Sequence, residues 1–372
     1  MVKKIIMKIR EFAYQGSNWN FLPVSFDDLN LIVGDSGAGK TRLFNLIFNM
    51  GTFVAQSKIG KGEGNWDFKL ISGDDVYSWH VEKLEDEGET VVSKEQLLLN
   101  DKLIVEREDD SFLFKSDKLP KMPRNLLSLS LLKEEPDIKP IYTGFAKIRR
   151  RRFFTDDLDK ASTIVAINYD YLNKLGEKQD LGELFNQDFS LNPTFYILNK
   201  YFPNLFEEIV AYFRETFPFI EDIKVQASEK YHELNLPSSA PILGIKERNV
   251  DKWLRLDELS SGMQKVLLIL ADLFTATEDS IYLIDEYENS LGVSAIHTLP
   301  DLLQSGRFTN QVLLTSHHPE TIRDFTVDKW IVAHRLGNQV EFTEGKELAK
   351  RYGLSNQDKY IQLLNDPEYS GA

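Results

Sequence analysis

The chain of 372 residues contains no cysteine. This rules out disulfides and thiolate metal sites and suits a cytoplasmic protein. Histidine is scarce, at six, and His80, His232, His297 and His334 fall in unrelated segments, so no metal-nuclease cluster is legible. No apolar run approaches the roughly 18–20 residues needed to span a bilayer, and no membrane association is expected. The opening Met1-Val2-Lys3-Lys4-Ile5-Ile6-Met7-Lys8-Ile9 returns to charge too soon for a signal peptide and alternates like a strand. Positive charge is not in excess. The net charge of −14 argues against polyanion binding by the whole surface and leaves room only for a local basic groove. No internal repeat, low-complexity segment or sustained heptad is visible, which excludes a long coiled coil.

What is present is the composition of a folded globular protein, with 42% hydrophobic and 27% charged residues. The length allows one large elaborated domain or two ordinary ones. Its most specific feature is Gly34-Asp35-Ser36-Gly37-Ala38-Gly39-Lys40-Thr41, which reads G-x-x-x-x-G-K-T. An apolar run, Leu29 to Val33, precedes it, and a helical stretch from Arg42 to Phe48 follows. Strand, loop and helix in that order are what a P-loop requires. The glycines let backbone N–H groups converge on phosphate oxygens. Lys40 is expected to reach the β- and γ-phosphates and the Thr41 hydroxyl to ligate Mg²⁺. The helix then points its positive end at the anion. The chain is expected to bind a nucleoside triphosphate.

Short strands are predicted for Lys4 to Phe12 and Phe21 to Phe26 ahead of the P-loop strand. Alternating runs at 66–71, 76–81 and 103–105, separated by Gly73-Asp74-Asp75 and Glu87-Gly88-Glu89, predict antiparallel sheet rich in hairpins. Residues from about 120 to 215 read as mainly helical, with Phe206, Ile209, Val210 and Phe213 at three- and four-residue spacing. Prolines divide that region. Strand-like patterning returns from Ile220 to Lys246. After Leu259 come a long helix, an apolar strand from Ser280 to Ile284, another helix and an apolar strand from Gln311 to Leu314. Closing strands are predicted at Lys329 to Ala333 and Gln339 to Phe342.

Ile281-Tyr282-Leu283-Ile284-Asp285-Glu286 is an apolar strand ending in two carboxylates, a Walker B pattern. Asp285 would hold Mg²⁺ through water, and Glu286 would polarise the attacking water as general base. Alone the pair could equally be a solvated strand terminus; the P-loop decides for the first reading. Leu259-Ser260-Ser261-Gly262-Met263-Gln264 opens a helix 25 residues before Asp285. Taken alone it is an ordinary helix cap. Thr315-Ser316-His317-His318-Pro319 follows the last apolar strand.

These four motifs, in this order, resemble an ABC-type ATPase of the SMC/RecF-like branch, close to the overcoming-lysogenisation-defect (OLD) ATPases and related anti-phage ATPases. The resemblance covers roughly residues 1–110 and 220–345. It implies an α/β P-loop fold with a mixed central sheet, an antiparallel β subdomain and a mainly helical insertion. The expected domains are 1–110 (P-loop lobe), 111–240 (helical insertion) and 241–372 (signature, Walker B and switch histidine). Carried over by position, Gly34, Asp35, Ser36, Gly37, Ala38, Gly39, Lys40, Thr41 and Arg42 bind nucleotide. Asp285 joins Thr41 at the metal, and Glu286, His317 and Lys40 act in catalysis. Ser260, Ser261 and Gly262 correspond to the L-S-G-G-Q signature and act in trans on ATP held by a second protomer. Ser290 and Leu291 fall at the D-loop, which couples the two sites. Met263, Tyr287 and Gly292 depart from the usual pattern. No Q-loop glutamine is assignable, Gln56 being a weak candidate, and Tyr14 and Trp19 are both at plausible distances for an adenine platform.

The resemblance implies a slow ATPase using ATP and Mg²⁺, working as a homodimer or higher homo-oligomer. Three uses compete. In a transporter subunit the signature comes about a hundred residues after the P-loop, whereas here 220 residues separate Lys40 from Ser260. A repair or recombination ATPase would bind DNA or RNA. The basic run Lys147, Arg149, Arg150, Arg151 and Arg152, followed by Phe153 and Phe154, would track a phosphate backbone. The same run also reads as a solvated helix face paired with Asp156, Asp157 and Asp159. The third use, which the organisation favours, is an anti-phage defence switch that controls a separate effector. OLD relatives carry a nuclease domain after the ATPase. The roughly 55 residues after His317 are too few for one, so the effector, a nuclease or toxin, is expected in trans, as in Septu, PARIS-type and some retron systems.

Overall fold

The computed structural model describes residues 6–152, 168–227, 241–289, 291–351, 358 and 361–362. The chain forms two compact units. The first comprises 1–150, 278–286 and 309–372, and the second 151–277 and 287–308.

The first unit carries strands β1 (Met7–Gln15), β2 (Asn20–Ser25) and β3 (Leu29–Val33), then helix α1 (Lys40–Gln56). An antiparallel run follows: β4 (Gly64–Ser72), β5 (Asp75–Asp86), β6 (Glu89–Leu99), β7 (Lys102–Glu108), β8 (Ser111–Phe114) and β9 (Asp117–Lys118). Next come α2 (Ser128–Leu131), α3 (Lys139–Ala146) and β10 (Ile148–Arg151). The second unit's strands are β11 (Ile220–Ala227), β12 (Pro241–Glu247) and β13 (Trp253–Leu254). The chain then adds β14 (Ile281–Ile284), β15 (Gln311–Ser316), β16 (Trp330–Leu336) and β17 (Gln339–Glu344) to the first sheet.

Among the described residues that sheet has fourteen strands, in the order β10-β14-β15-β3-β16-β17-β2-β1-β4-β5-β6-β7-β8-β9. β14, β15, β3 and β16 run parallel. β14 and β15 are buried along their whole length, and β3 everywhere but its first residue. Their uninterrupted apolar runs are what strands covered on both faces need. β4 and β5 instead alternate buried and more open positions, as antiparallel strands with one covered face do. The covered face packs on α1 and α3. Phe145 of α3 meets Phe68 and Trp79 with ring centroids at 5.3 and 5.1 Å. Truncating such a buried ring to alanine costs about 3–5 kcal/mol. α1 contributes Leu43, Phe44, Ile47, Met50 and Val54, all fully buried.

Gln311 opens β15 as a fully buried amide. It accepts from the Ile9 N–H at 2.9 Å and donates to the Ile9 and Asp27 carbonyls at 2.7 and 2.9 Å. β1, the turn before β3 and β15 are thereby locked in register.

The second unit packs helices Tyr169–Glu177, Leu181–Asn186, Leu191–Tyr201, Pro203–Thr216, Ser261–Thr275 and Val293–Gln304 with the sheet β11-β12-β13. Phe206, Ile209, Val210 and Phe213 are all buried along one helix, matching their predicted spacing. Among the described residues no helix is long and apolar enough to cross a membrane.

Candidate nucleotide site

The site forms where three parallel strands end side by side. Ser316 of β15 is in register with Val33 of β3, and Ile284 of β14 with Leu314 of β15. The residues leaving these strands, Gly34, Asp285 and His317, therefore emerge along one edge. Open α/β sheets bind ligands at that carboxyl edge. Gly34, Gly37 and Gly39 adopt φ of 152°, 89° and 96°, which side chains resist. At Gly34 a Cβ would also meet the Ala333 carbonyl oxygen at 2.5 Å. Asp35, Ser36 and Gly37 are exposed, while Ala38 is buried. α1 begins from Gly39 without a side-chain cap, so its first-turn N–H groups lack the usual internal partner. The Lys40 ammonium folds over the loop and donates to the Gly34 and Asp35 carbonyls at 2.5 and 3.0 Å.

A cleft of about 370 Å³ lies over this loop. Lys40, Thr41 and Arg42 line it from α1, and Glu286 and His317 from the ends of β14 and β15. Asp285 lies beneath, its side chain only 4% exposed. Its Oδ1 accepts from the Thr41 hydroxyl at 3.1 Å and the Thr315 hydroxyl at 2.8 Å. Its Oδ2 pairs with Arg150 at 2.5 Å. Glu286 takes φ of 51°, uncommon for a residue with a side chain. Its N–H donates to the Thr315 hydroxyl at 2.8 Å, which holds that turn. Thr41 and Asp285 are hard oxygen groups of the kind magnesium prefers, and they stand in direct contact. Among the described residues no group of three or more His, Cys, Asp or Glu could hold a metal.

Trp19 also lines the cleft, with the Arg335 guanidinium 4.0 Å and the Arg42 guanidinium 5.1 Å from its ring. Arg335 donates to the Gly37 carbonyl at 3.3 Å as well. Tyr14 is buried, and its hydroxyl donates to the Glu63 carbonyl at 3.0 Å. Of the two aromatics only Trp19 faces the cleft. A larger cavity of about 620 Å³ lies on the face of β1, β4, β5 and β6, lined by Asp67 and His80 among others. No motif residue borders it.

The segment Leu259 to Gln264, which resembles a signature, belongs to the second unit. Ser260 caps the helix Ser261–Thr275, its hydroxyl accepting from the Met263 N–H at 3.3 Å. Ser260 and Ser261 are exposed, and Gly262 and Met263 are buried. The Gln264 amide donates to the Leu256 and Leu259 carbonyls at 2.8 and 3.2 Å and shapes the turn. Lys265, fully buried, donates to the Tyr287 and Asn289 carbonyls, each at 2.6 Å. It thus ties the helix Ser261–Thr275 to the loop before Leu291. The Leu291 N–H donates to the Glu288 carbonyl at 3.0 Å. Ser290 lies outside the described residues.

The basic run is not a helix face: Ile148–Arg151 is a strand beside β14 and, among the described residues, the outermost of the sheet. Lys147 pairs with Asp279 at 2.6 Å and Arg150 with Asp285. Arg151 pairs with Asp272 and Asp188 at 2.7 and 2.8 Å. Arg149 and Arg152 are half-buried. Phe153, Phe154, Asp156, Asp157 and Asp159 lie outside the described residues. Arg335 and Lys265 leave no local signal in the sequence, and Thr315 stands there only beside His317; their roles arise from strand order and helix packing.

The fold has known counterparts. An Smc head bound to the C-winged helix domain of ScpA matches at a TM-score of 0.53 and 12% identity, over 92% of this chain and 99% of that one. The Smc head of Pyrococcus furiosus, with an extended coiled coil and bound to the C-terminal domain of ScpA, matches at 0.51 and 12%, over 93% and 98%. The likeness is one of fold: this chain shares the fold of these Smc heads. No curated protein matches the sequence. A family model described as "AAA domain, putative AbiEii toxin, Type IV TA system" matches residues 29–323, and the chain belongs to that family.

Proposed function

We propose that this chain is a slow ATP-hydrolysing switch whose two copies close head to tail around ATP and control a separate effector. One observation carries the reading: Lys40, Thr41 and Glu286 line a single cleft above Asp285, which the Thr41 and Thr315 hydroxyls hold. Lys40 exchanges the Gly34 and Asp35 carbonyls for phosphate oxygens, a stronger charge-assisted partner. The loop from Gly34 to Gly39 and the first turn of α1 hold the phosphates. Thr41 and Asp285 would hold Mg²⁺, which would supply positive charge to neutralise the phosphates. Glu286 takes the proton of the attacking water as general base. His317, exposed at the cleft, contacts the γ-phosphate, and Trp19 offers its ring to the base. Ser260, Ser261 and Gly262, at the start of a fifteen-residue helix, act on the γ-phosphate of the other copy. Ser290 and Leu291 couple the two sites.

Closure is favoured only while the γ-phosphate is present, so hydrolysis reopens the pair. The segment 111–240 converts closure into capture or release of the effector, a nuclease or toxin in cytoplasmic anti-phage defence. A family description that names a toxin of a type IV system supports this use. An Smc head recorded with a ScpA domain supports a partner protein.

The test is light scattering with ATP. Glu286→Gln should run at dimer mass and hydrolyse no ATP. Adding Ser260→Arg should return it to monomer mass with ATP still bound. A monomeric Glu286→Gln variant at saturating ATP would refute the switch.

A further inference from the structure

We infer that Arg150 is a built-in cation on the metal side of the nucleotide site, and that it lets this chain hold a nucleoside triphosphate with little dependence on magnesium. The inference rests on the nucleotide reading above. The Arg150 side chain is 3% exposed. Its guanidinium meets Asp285 Oδ2 at 2.5 Å and the Thr41 carbonyl at 3.4 Å, and it donates to Asn45 Oδ1. Asn45 stands one turn beyond Thr41 on α1, on the same face. One planar fork therefore joins the P-loop helix to the carboxylate at the end of β14. Ile148, buried on β10, shares the Arg150 face by the two-residue period of a strand and anchors it.

A carboxylate offers roughly four acceptor positions. Protein groups already occupy three on Asp285: the Thr41 and Thr315 hydroxyls and Arg150. The one remaining position is on Oδ2, so a metal-bound water there would stand beside a fixed guanidinium charge. An arginine does not lose its proton in a protein, so the negative charge of Asp285 is met without a metal. A lone carboxylate beneath the loop would repel a metal-free triphosphate; the paired one does not. Removing the guanidinium should strengthen the site for magnesium and weaken it for metal-free nucleotide. Those two changes run in opposite directions, and a mere loss of packing does not produce both.

The experiment is equilibrium binding of a fluorescent ATP analogue to the full chain, in excess magnesium and in EDTA. The unsubstituted chain should bind within about tenfold equally well in the two. Arg150→Gln should lose about tenfold or more in EDTA, while the magnesium concentration for half-maximal binding falls. Arg150→Lys, which keeps the charge but not the fork, should lose less EDTA binding than Arg150→Gln. Binding by the unsubstituted chain only with magnesium, or an unchanged EDTA-to-magnesium ratio in Arg150→Gln, overturns the inference and leaves the nucleotide site standing. No binding in either condition defeats the nucleotide reading itself.

Discussion

The Glu286 N–H donates to the Thr315 hydroxyl at 2.8 Å, and that hydroxyl passes its own hydrogen to Asp285 at 2.8 Å. One side chain of β15 thus fixes both acids at the end of β14, including the left-handed turn at Glu286. Thr315→Val keeps the shape and removes both bonds. It should cost about 1–3 kcal/mol of stability and slow phosphate release by about tenfold, because a displaced base loses its geometry. Urea unfolding and a phosphate-release assay check the two effects; no change in either would deny Thr315 this role.

Lys40→Ala should remove the cation that the loop carbonyls now hold. Affinity for ATP should drop by about a hundredfold. Isothermal calorimetry measures it directly, and an unchanged dissociation constant would rule out phosphate contact by Lys40.

Lys265→Met should leave the Tyr287 and Asn289 carbonyls without their buried donor. The expected loss is about 2 kcal/mol of stability. ATP-driven dimerisation should fail while single copies still bind ATP, since the loop before Leu291 is no longer tied to the signature helix. Sedimentation with and without ATP decides it; normal dimerisation would sever the link.

Lys83 lies against Phe53 and Trp66, with its ammonium 4.5 and 5.0 Å from their rings and 2.9 Å from the Gly60 carbonyl. Burial pushes its pKa down to about 8. The unfolded chain keeps the ordinary lysine value near 10.5 and so binds more protons than the folded chain between these values. Stability should therefore rise as pH climbs through about 8 towards 10.5. Relative to Lys83→Met, the unsubstituted chain should gain roughly 2 kcal/mol between pH 7.5 and 9.5. Chemical denaturation of both at several pH values tests the slope; parallel profiles would count against a depressed lysine.

The strands beneath the site were legible almost to the residue. Leu29–Val33 and Ile281–Ile284 are short unbroken apolar runs next to turn-forming residues, and both signals are local. β6, Glu89–Leu99, went unread. Its Glu89, Lys94, Glu95 and Gln96 obscure the apolar pattern, and its stability comes from its pairs on β5 and β7. The basic run misled for a related reason. Four consecutive cations suggest a solvated helix, yet Asp285 and Asp272 supply partners to Arg150 and Arg151 from distant segments.

By itself the sequence determined the glycine-rich loop before α1, the acidic strand end and the helix capped by Ser260, because each is built from neighbours along the chain. Only the tertiary structure decided what surrounds them. The order β14-β15-β3-β16 brings Thr315 to both acids and Arg335 to Trp19, and β10 carries Arg150 to Asp285. Thr41 and Asp285 are 244 positions apart. Contacts at such separations are set by which strands pair, and pairing depends on apolar burial summed over a whole sheet rather than on any residue's own preference.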